Sequence, residues 1–129
     1  MKKEIILTTM CMIYNGECFL VQNRIKNDWP GINFPGGKVK DNESIYDSCI
    51  REIKEETNLD ISNLECMGYY EWNDLGDDKL HLCILFRTNT YSGEIKSSAE
   101  GEVFFIKEED LPKYKLSNDF SEILKITKK

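Results

Sequence analysis

The stretch Phe34–Ile61, FPGGKVKDNESIYDSCIREIKEETNLDI, decides how the rest of the chain is read. It opens on the pair Gly36–Gly37 and closes on a helix dense in acid. Ser44, with Asp47 three residues on, is a capping-box start. Ile45, Cys49, Ile50 and Ile53 recur at helical spacing and give the helix one apolar side. Asn58 follows the last turn, and asparagine is second only to glycine as the left-handed residue that ends a helix. Glu52, Glu55 and Glu56 then fall within an arc of about 100°, beside the apolar stripe. Such a cluster repels itself by about 0.2–0.5 kcal/mol per pair in water and by more when partly buried. Two readings follow. One is a solvated acidic face with Arg51 and Lys54 as diffuse partners. The other is convergence on a hard divalent cation, which takes carboxylate oxygens and removes the repulsion. The glycine turn favours the second, because glycine adopts backbone angles closed to other residues and lets a carbonyl or amide approach a ligand. Glu43, just before the cap, can fold back toward the same place.

Upstream, residues from about Glu4 to Tyr14 read as a strand, Asn15–Gly16 as a turn, and Glu17–Arg24 as a second strand, together a hairpin. The loop IKNDWPGINFPGG holds a short extended piece near Ile32–Phe34. Downstream, Leu64–Trp72 and Lys79–Thr90 read as strands joined by a polar turn, and Gly101–Ile106 as a further strand. Residues 107–114 form a turn with one helical turn. The end of the chain reads as a short helix capped by Ser117 or Asn118, with Phe120, Ile123 and Leu124 facing inward. Strands and helices are intermixed, so the class is α/β or α+β with a mixed sheet.

A chain of 129 residues suggests one domain over 1–129. With 40% hydrophobic and 31% charged residues it reads as soluble and globular rather than disordered. A net charge of −6 argues against stable nucleic-acid binding, but not against a small anion held through a metal. Cys11, Cys18, Cys49, Cys66 and Cys83 are odd in number and show no C-x-x-C pair. A zinc site or disulfide framework is therefore not expected, and Cys11 and Cys83 read as buried strand thiols in a reducing cytoplasm. The start MKKEIILTTMCMIY is interrupted by Glu4, Thr8 and Thr9 and reads as a strand, not a signal peptide. No apolar run approaches the ~20 residues of a membrane span.

The pattern Gly37, five residues, Glu43, seven residues, then Arg51-Glu52-Ile53-Lys54-Glu55-Glu56-Thr57-Asn58-Leu59 resembles the Nudix box, G-x5-E-x7-R-E-U-x-E-E-x-G-U, where U is a bulky aliphatic. Asn58 stands where the family has glycine, a mild departure because asparagine tolerates the left-handed conformation. The preceding NFPGGKV strengthens the likeness. The resemblance implies an α/β/α sandwich around a mixed sheet. It implies hydrolysis of a nucleoside diphosphate linked to another group, with Mg²⁺ or Mn²⁺. Carried onto this chain, Glu52, Glu55 and Glu56 would bind metal, with a carbonyl from Gly36–Gly37. Glu52 would act as, or position, the general base. Arg51 would orient the glutamates and Glu43 would support the loop–helix junction. A further acid, Glu100 rather than Glu102, would complete the site, with a charged turn as the competing reading. Arg24 is a phosphate contact or an exposed strand-end arginine.

VQNR, DWPGINFPGGKV, SSAEGEVFFI and LPKYKLSNDF are similar to the MutT-like branch, which hydrolyses 8-oxo-dGTP to 8-oxo-dGMP and pyrophosphate. There, Asn118 beside Asp119 would read the base edge, although it could equally cap the last helix. Trp72 would stack on the base or belong to the core, and Trp29 would anchor its loop. The implied partner is a small nucleotide, with neither nucleic acid nor membrane, for a monomer or homodimer. The rival readings are a Nudix hydrolase of a dinucleoside polyphosphate, an ADP-sugar or another nucleoside triphosphate, and a non-catalytic binding module of the same fold.

Overall fold

A computed structural model describes residues 3–27 and 29–129. Met1 and Lys2 of the basic start, and Asp28 of the Trp29–Pro30 loop, lie outside the described residues. In chain order the elements are β1 (Ile5–Asn15), β2 (Cys18–Arg24), β3 (Gly31–Asn33), β4 (Gly36–Lys38) and α1 (Ile45–Thr57). After them come β5 (Asp60–Ser62), β6 (Glu65–Trp72), β7 (Leu80–Thr88), β8 (Thr90–Ser92), β9 (Gly101–Lys107), a 3-10 helix over Glu108–Lys113, and α2 (Phe120–Lys128).

The sheet is mixed. β1 runs parallel to β7 over Ile5–Ile13, and the other strand–strand pairings are antiparallel, with one isolated parallel bridge from Ile32 to Leu116. The other edge of β1 is shared. Tyr14 and Asn15 pair with β2, whereas Thr8–Met10 pair with β4. β2 in turn leaves β1 to pair with β3 over Gln22–Arg24, and takes β9 along its far edge. This branching lays the glycine pair of β4 between β1 and helix α1.

Alternation along the strands makes two cores, as a period of two requires. Cys11, Ile13, Leu20, Phe86 and Val103 pack with Cys49 and Ile53 of α1. Met12, Phe19, Val21, Cys83, Leu85 and Ile106 pack with Phe120, Ile123 and Leu124 of α2. The sheet is thus sandwiched between two helices. Cys11 and Cys83 are buried, and the five cysteines are free thiols. Among the described residues no helix is long and apolar enough to cross a membrane.

Helix α1 begins and ends where its sequence calls for, although among the described residues only the Ser44 half of the capping box forms. Ser44 Oγ accepts from the Asp47 amide at 3.0 Å, and Asn58 takes φ 68° while its N–H donates to the Lys54 carbonyl. Three expectations need correction. Gly36 and Gly37 form a short strand, and neither has positive φ. Their need for glycine is spatial. Helix α2 is not capped by Ser117 or Asn118. Asp119 stands at its N-cap with φ 67° and makes no capping hydrogen bond. The Ser117 hydroxyl is spent on the Ile32 carbonyl at 2.9 Å, because its backbone is bridged to β3. Finally, the strand expected to run to Thr90 stops at Thr88. The Thr88 hydroxyl donates to the Ser62 carbonyl and accepts from the Thr90 amide, turning the chain to pair as β8 with β5.

Candidate active site

Helix α1 buries Ser48, Cys49, Ile53, Glu56 and Thr57. Glu56 is therefore on the buried face itself, only 6% exposed, not at its margin. Its Oε2 accepts from the Gly36 amide at 2.8 Å. Burial pushes the carboxyl up to about 7, although the Gly36 bond pulls the other way; the charges of Glu52 and Glu100 raise it further.

One turn away, Arg51 gathers the other acids. Its Nε and Nη2 donate to both oxygens of Glu43, at 2.9 and 2.6 Å, a bidentate pair. Its Nη1 donates to Glu52 Oε1 and Glu55 Oε2, both at 2.8 Å, and Nη2 also reaches the Lys38 carbonyl at 3.1 Å. Glu43 accepts from the Lys40 amide as well, and Arg51 holds its carboxyl down to about 2. Burial raises Glu52 above the usual carboxylate range in spite of Arg51. Glu55 is the most open of the set, its side chain 53% exposed.

The glycines fit this junction sterically. A Cβ on Gly37 would run into the Glu52 carboxyl, and one on Gly36 would run into the Thr9 carbonyl. Gly36, Gly37, Arg51, Glu52, Glu55 and Glu56 therefore meet where β4 crosses α1. Among the described residues no three acidic, histidine or cysteine side chains converge as a metal-ligand set. Arg51 stands between Glu43, Glu52 and Glu55, and Glu56 lies behind on Gly36. The donors are nevertheless carboxylate and carbonyl oxygens, the chemistry suited to Mg²⁺ or Mn²⁺, and the space kept free at Gly37 is filled by a carboxylate.

Glu100 pairs with Lys26 Nζ at 2.7 Å and lies 3.9 Å from Arg24 Nη1, and its charge reaches Glu56. Glu102 is exposed and makes no ion pair among the described residues. Arg24 is no loose strand end, because its Nε donates to the Trp29 carbonyl at 3.0 Å.

A groove of about 190 Å³ opens beside the glycines, with Arg24, Trp29, Phe34 and Trp72 in its walls. It adjoins a second hollow of about 310 Å³ that shares Trp29, Trp72 and Leu75 and ends at Asn118 and Asp119. Trp72 is 8% exposed, so it is both core and wall. Its indole stands edge-on to Trp29 at 5.3 Å and to Tyr70 at 5.0 Å. The sequence reading missed Lys26 and Asn33. Asn33 is buried in the groove wall, where its Oδ1 accepts from the Phe34 amide. A buried amide just ahead of Pro35-Gly36-Gly37 was the available signal. A cavity of about 570 Å³ beside the β1–β2 turn holds none of these residues.

The family model for the NUDIX domain matches residues 5–125. The chain is 32% identical over 108 residues to an ADP-ribose pyrophosphatase of Methanocaldococcus jannaschii, covering 82% of this chain and 63% of that one. It is 33% identical over 72 residues to an oxidized purine nucleoside triphosphate hydrolase of Danio rerio, covering 56% and 44%. Matched segments span from 20% to 63% of the lengths of the curated relatives. Among solved structures, the MutT NUDIX hydrolase of Burkholderia pseudomallei superposes with a TM-score of 0.84 at 18% identity, covering 95% of this chain and 98% of that one.

Proposed function

The chain belongs to the NUDIX domain family, and from that premise we propose that it is a divalent-metal-dependent pyrophosphohydrolase whose preferred substrate is an oxidised purine nucleoside triphosphate. The reaction is 8-oxo-dGTP plus water giving 8-oxo-dGMP and pyrophosphate. One observation carries the catalytic part: Arg51 binds Glu43, Glu52 and Glu55 together, and Glu52 packs against Gly37, which with Gly36 lines the groove.

Glu52, Glu55, Glu56 and Glu100, with a carbonyl of Gly36 or Gly37, would hold Mg²⁺ or Mn²⁺. The ion when bound neutralises diphosphate charge and lowers the pKa of a water. The chain's own residues do the rest. Arg51 fixes the direction of Glu52 and Glu55 through charge-assisted bonds. Glu52, its proton affinity raised by burial, takes the proton of the attacking water. Arg24, anchored on the Trp29 carbonyl, meets a phosphate at the groove mouth. Trp72 faces the base and Asn118 reads its edge from the far hollow.

The test is pyrophosphate and phosphate release with Mg²⁺ on 8-oxo-dGTP, dGTP, the other dNTPs, ADP-ribose and a diadenosine polyphosphate. A preference for 8-oxo-dGTP in kcat/KM, with pyrophosphate as product, supports the reading. A preference for ADP-ribose, the substrate named for the archaeal relative, keeps the glutamate site and discards the base reading. No turnover of any of them, with no metal binding, would leave a binding module.

A further inference from the structure

Asp119 is built in a way that helix capping does not explain. It occupies the left-handed region, φ 67° and ψ 9°, which an L residue adopts at a cost, and its side chain makes no capping bond. Its carboxylate points instead across the molecule. Oδ2 accepts from Trp72 Nε1 at 2.8 Å, joining positions 47 residues apart. The Asp119 charge also helps to raise the Tyr70 phenol above its usual value, after burial. Tyr70 and Trp29 both stand edge-on to Trp72, so the indole is held by one hydrogen bond and two ring contacts.

We propose that Asp119 is a positioning residue: by accepting the indole N–H it locks Trp72 as the groove wall against which a ligand's ring packs. The proposal rests on the nucleotide-hydrolase reading above. A tryptophan whose polar edge is unbound can turn that edge into the groove, whereas one bound at Nε1 presents only its apolar surface. The left-handed backbone is what aims the carboxylate away from its own helix. Asp119 thus acts through Trp72 and not on the phosphates, which the reading above gives to Arg24.

The experiment compares D119G and D119N in the full chain, because glycine and asparagine both accept φ 67° and keep the backbone. Circular dichroism and thermal melting establish that each variant folds. The two tryptophans of the chain, Trp29 and Trp72, both lie at this contact, so tryptophan emission of the free protein reads it directly. D119G is expected to shift that emission. It is also expected to raise KM for 8-oxo-dGTP about tenfold, the scale of one base–aromatic stack, with little change in kcat. D119N keeps an oxygen acceptor and is expected to recover most of both effects. In a W72F background D119G is expected to add nothing. The proposal is overturned if D119G leaves emission as in the wild type, if D119N is as damaging as D119G, or if D119G is equally damaging in W72F. A wild-type protein that turns over none of the nucleotides defeats the functional reading instead, while the emission comparison still decides whether Asp119 holds Trp72.

Discussion

Glu56 is tied to Gly36: its Oε2 accepts the Gly36 amide at 2.8 Å from a position 20 residues later in the chain. This bond joins the buried face of the acidic helix to the strand that borders the groove. It leaves a carboxylate inside the protein that, among the described residues, has no ammonium or guanidinium bonded to it. Glu56 accordingly stands at about 7.

Stability without metal should therefore depend on pH in a direction set by Glu56. Its folded value lies above its ordinary one of 4.5, so between the two the folded protein holds more protons than the unfolded chain. Stability is full below about 4.5 and is lost as pH rises through about 7. The loss is on the order of 3 kcal/mol. Urea denaturation in EDTA from pH 4 to 8 measures it, and E56Q is expected to flatten that part of the profile. An E56Q profile as steep as the wild type would show that another group is responsible.

Removing single glutamates should separate chemistry from folding. E52Q is expected to lower kcat by about 10²-fold or more, the contribution of a positioned base, with the melting temperature little changed. E55Q and E56Q are expected to remove nearly all turnover with the fold intact, and EDTA to do so in the wild type. Retention of normal Mg²⁺-dependent rates by E55Q and E56Q would sink the metal-cradle reading.

The two glycines should fail in different ways. A methyl on Gly36 meets the backbone carbonyl of Thr9, which cannot move without breaking the β1–β4 pairing. G36A is expected to destabilise the protein by about 1–3 kcal/mol. A methyl on Gly37 meets the end of the Glu52 side chain, which can swing aside. G37A is expected to fold near normally yet lose activity, because Glu52 is displaced. Melting curves beside initial rates distinguish the two. Equal melting temperatures would contradict the steric account.

Glu43 should matter through Arg51. Both its oxygens are occupied by the guanidinium, and a third bond comes from the Lys40 amide. E43A removes the pair that fixes Arg51 and is expected to lower kcat by loosening Glu52 and Glu55, while KM changes little. In an R51A background the same change is expected to cost far less. Additive losses would mean that Glu43 acts independently.

Local signals set much of this protein. Ser44, Asp47 and Asn58 define the ends of α1 through bonds that span a few residues, so they were legible in the sequence. The strict spacing from Gly37 to Leu59 likewise marks the family whose model matches residues 5–125, and strand alternation sorts Cys11 from Met12 between two cores. What lay beyond reach involves distant partners. The Gly36–Gly37 pair looked like a turn, because only the neighbouring Thr9 carbonyl and Glu52 carboxyl reveal that glycine is needed for space and not for φ. Ser117 looked like a cap, because nothing nearby shows that Ile32, 85 residues earlier, claims its hydroxyl. The bond from Trp72 to Asp119, and the placing of Arg51 among Glu43, Glu52 and Glu55, were likewise decided only by tertiary structure. A side chain's local sequence states which bonds it can make, but the folded chain decides which groups come within about 3 Å to make them.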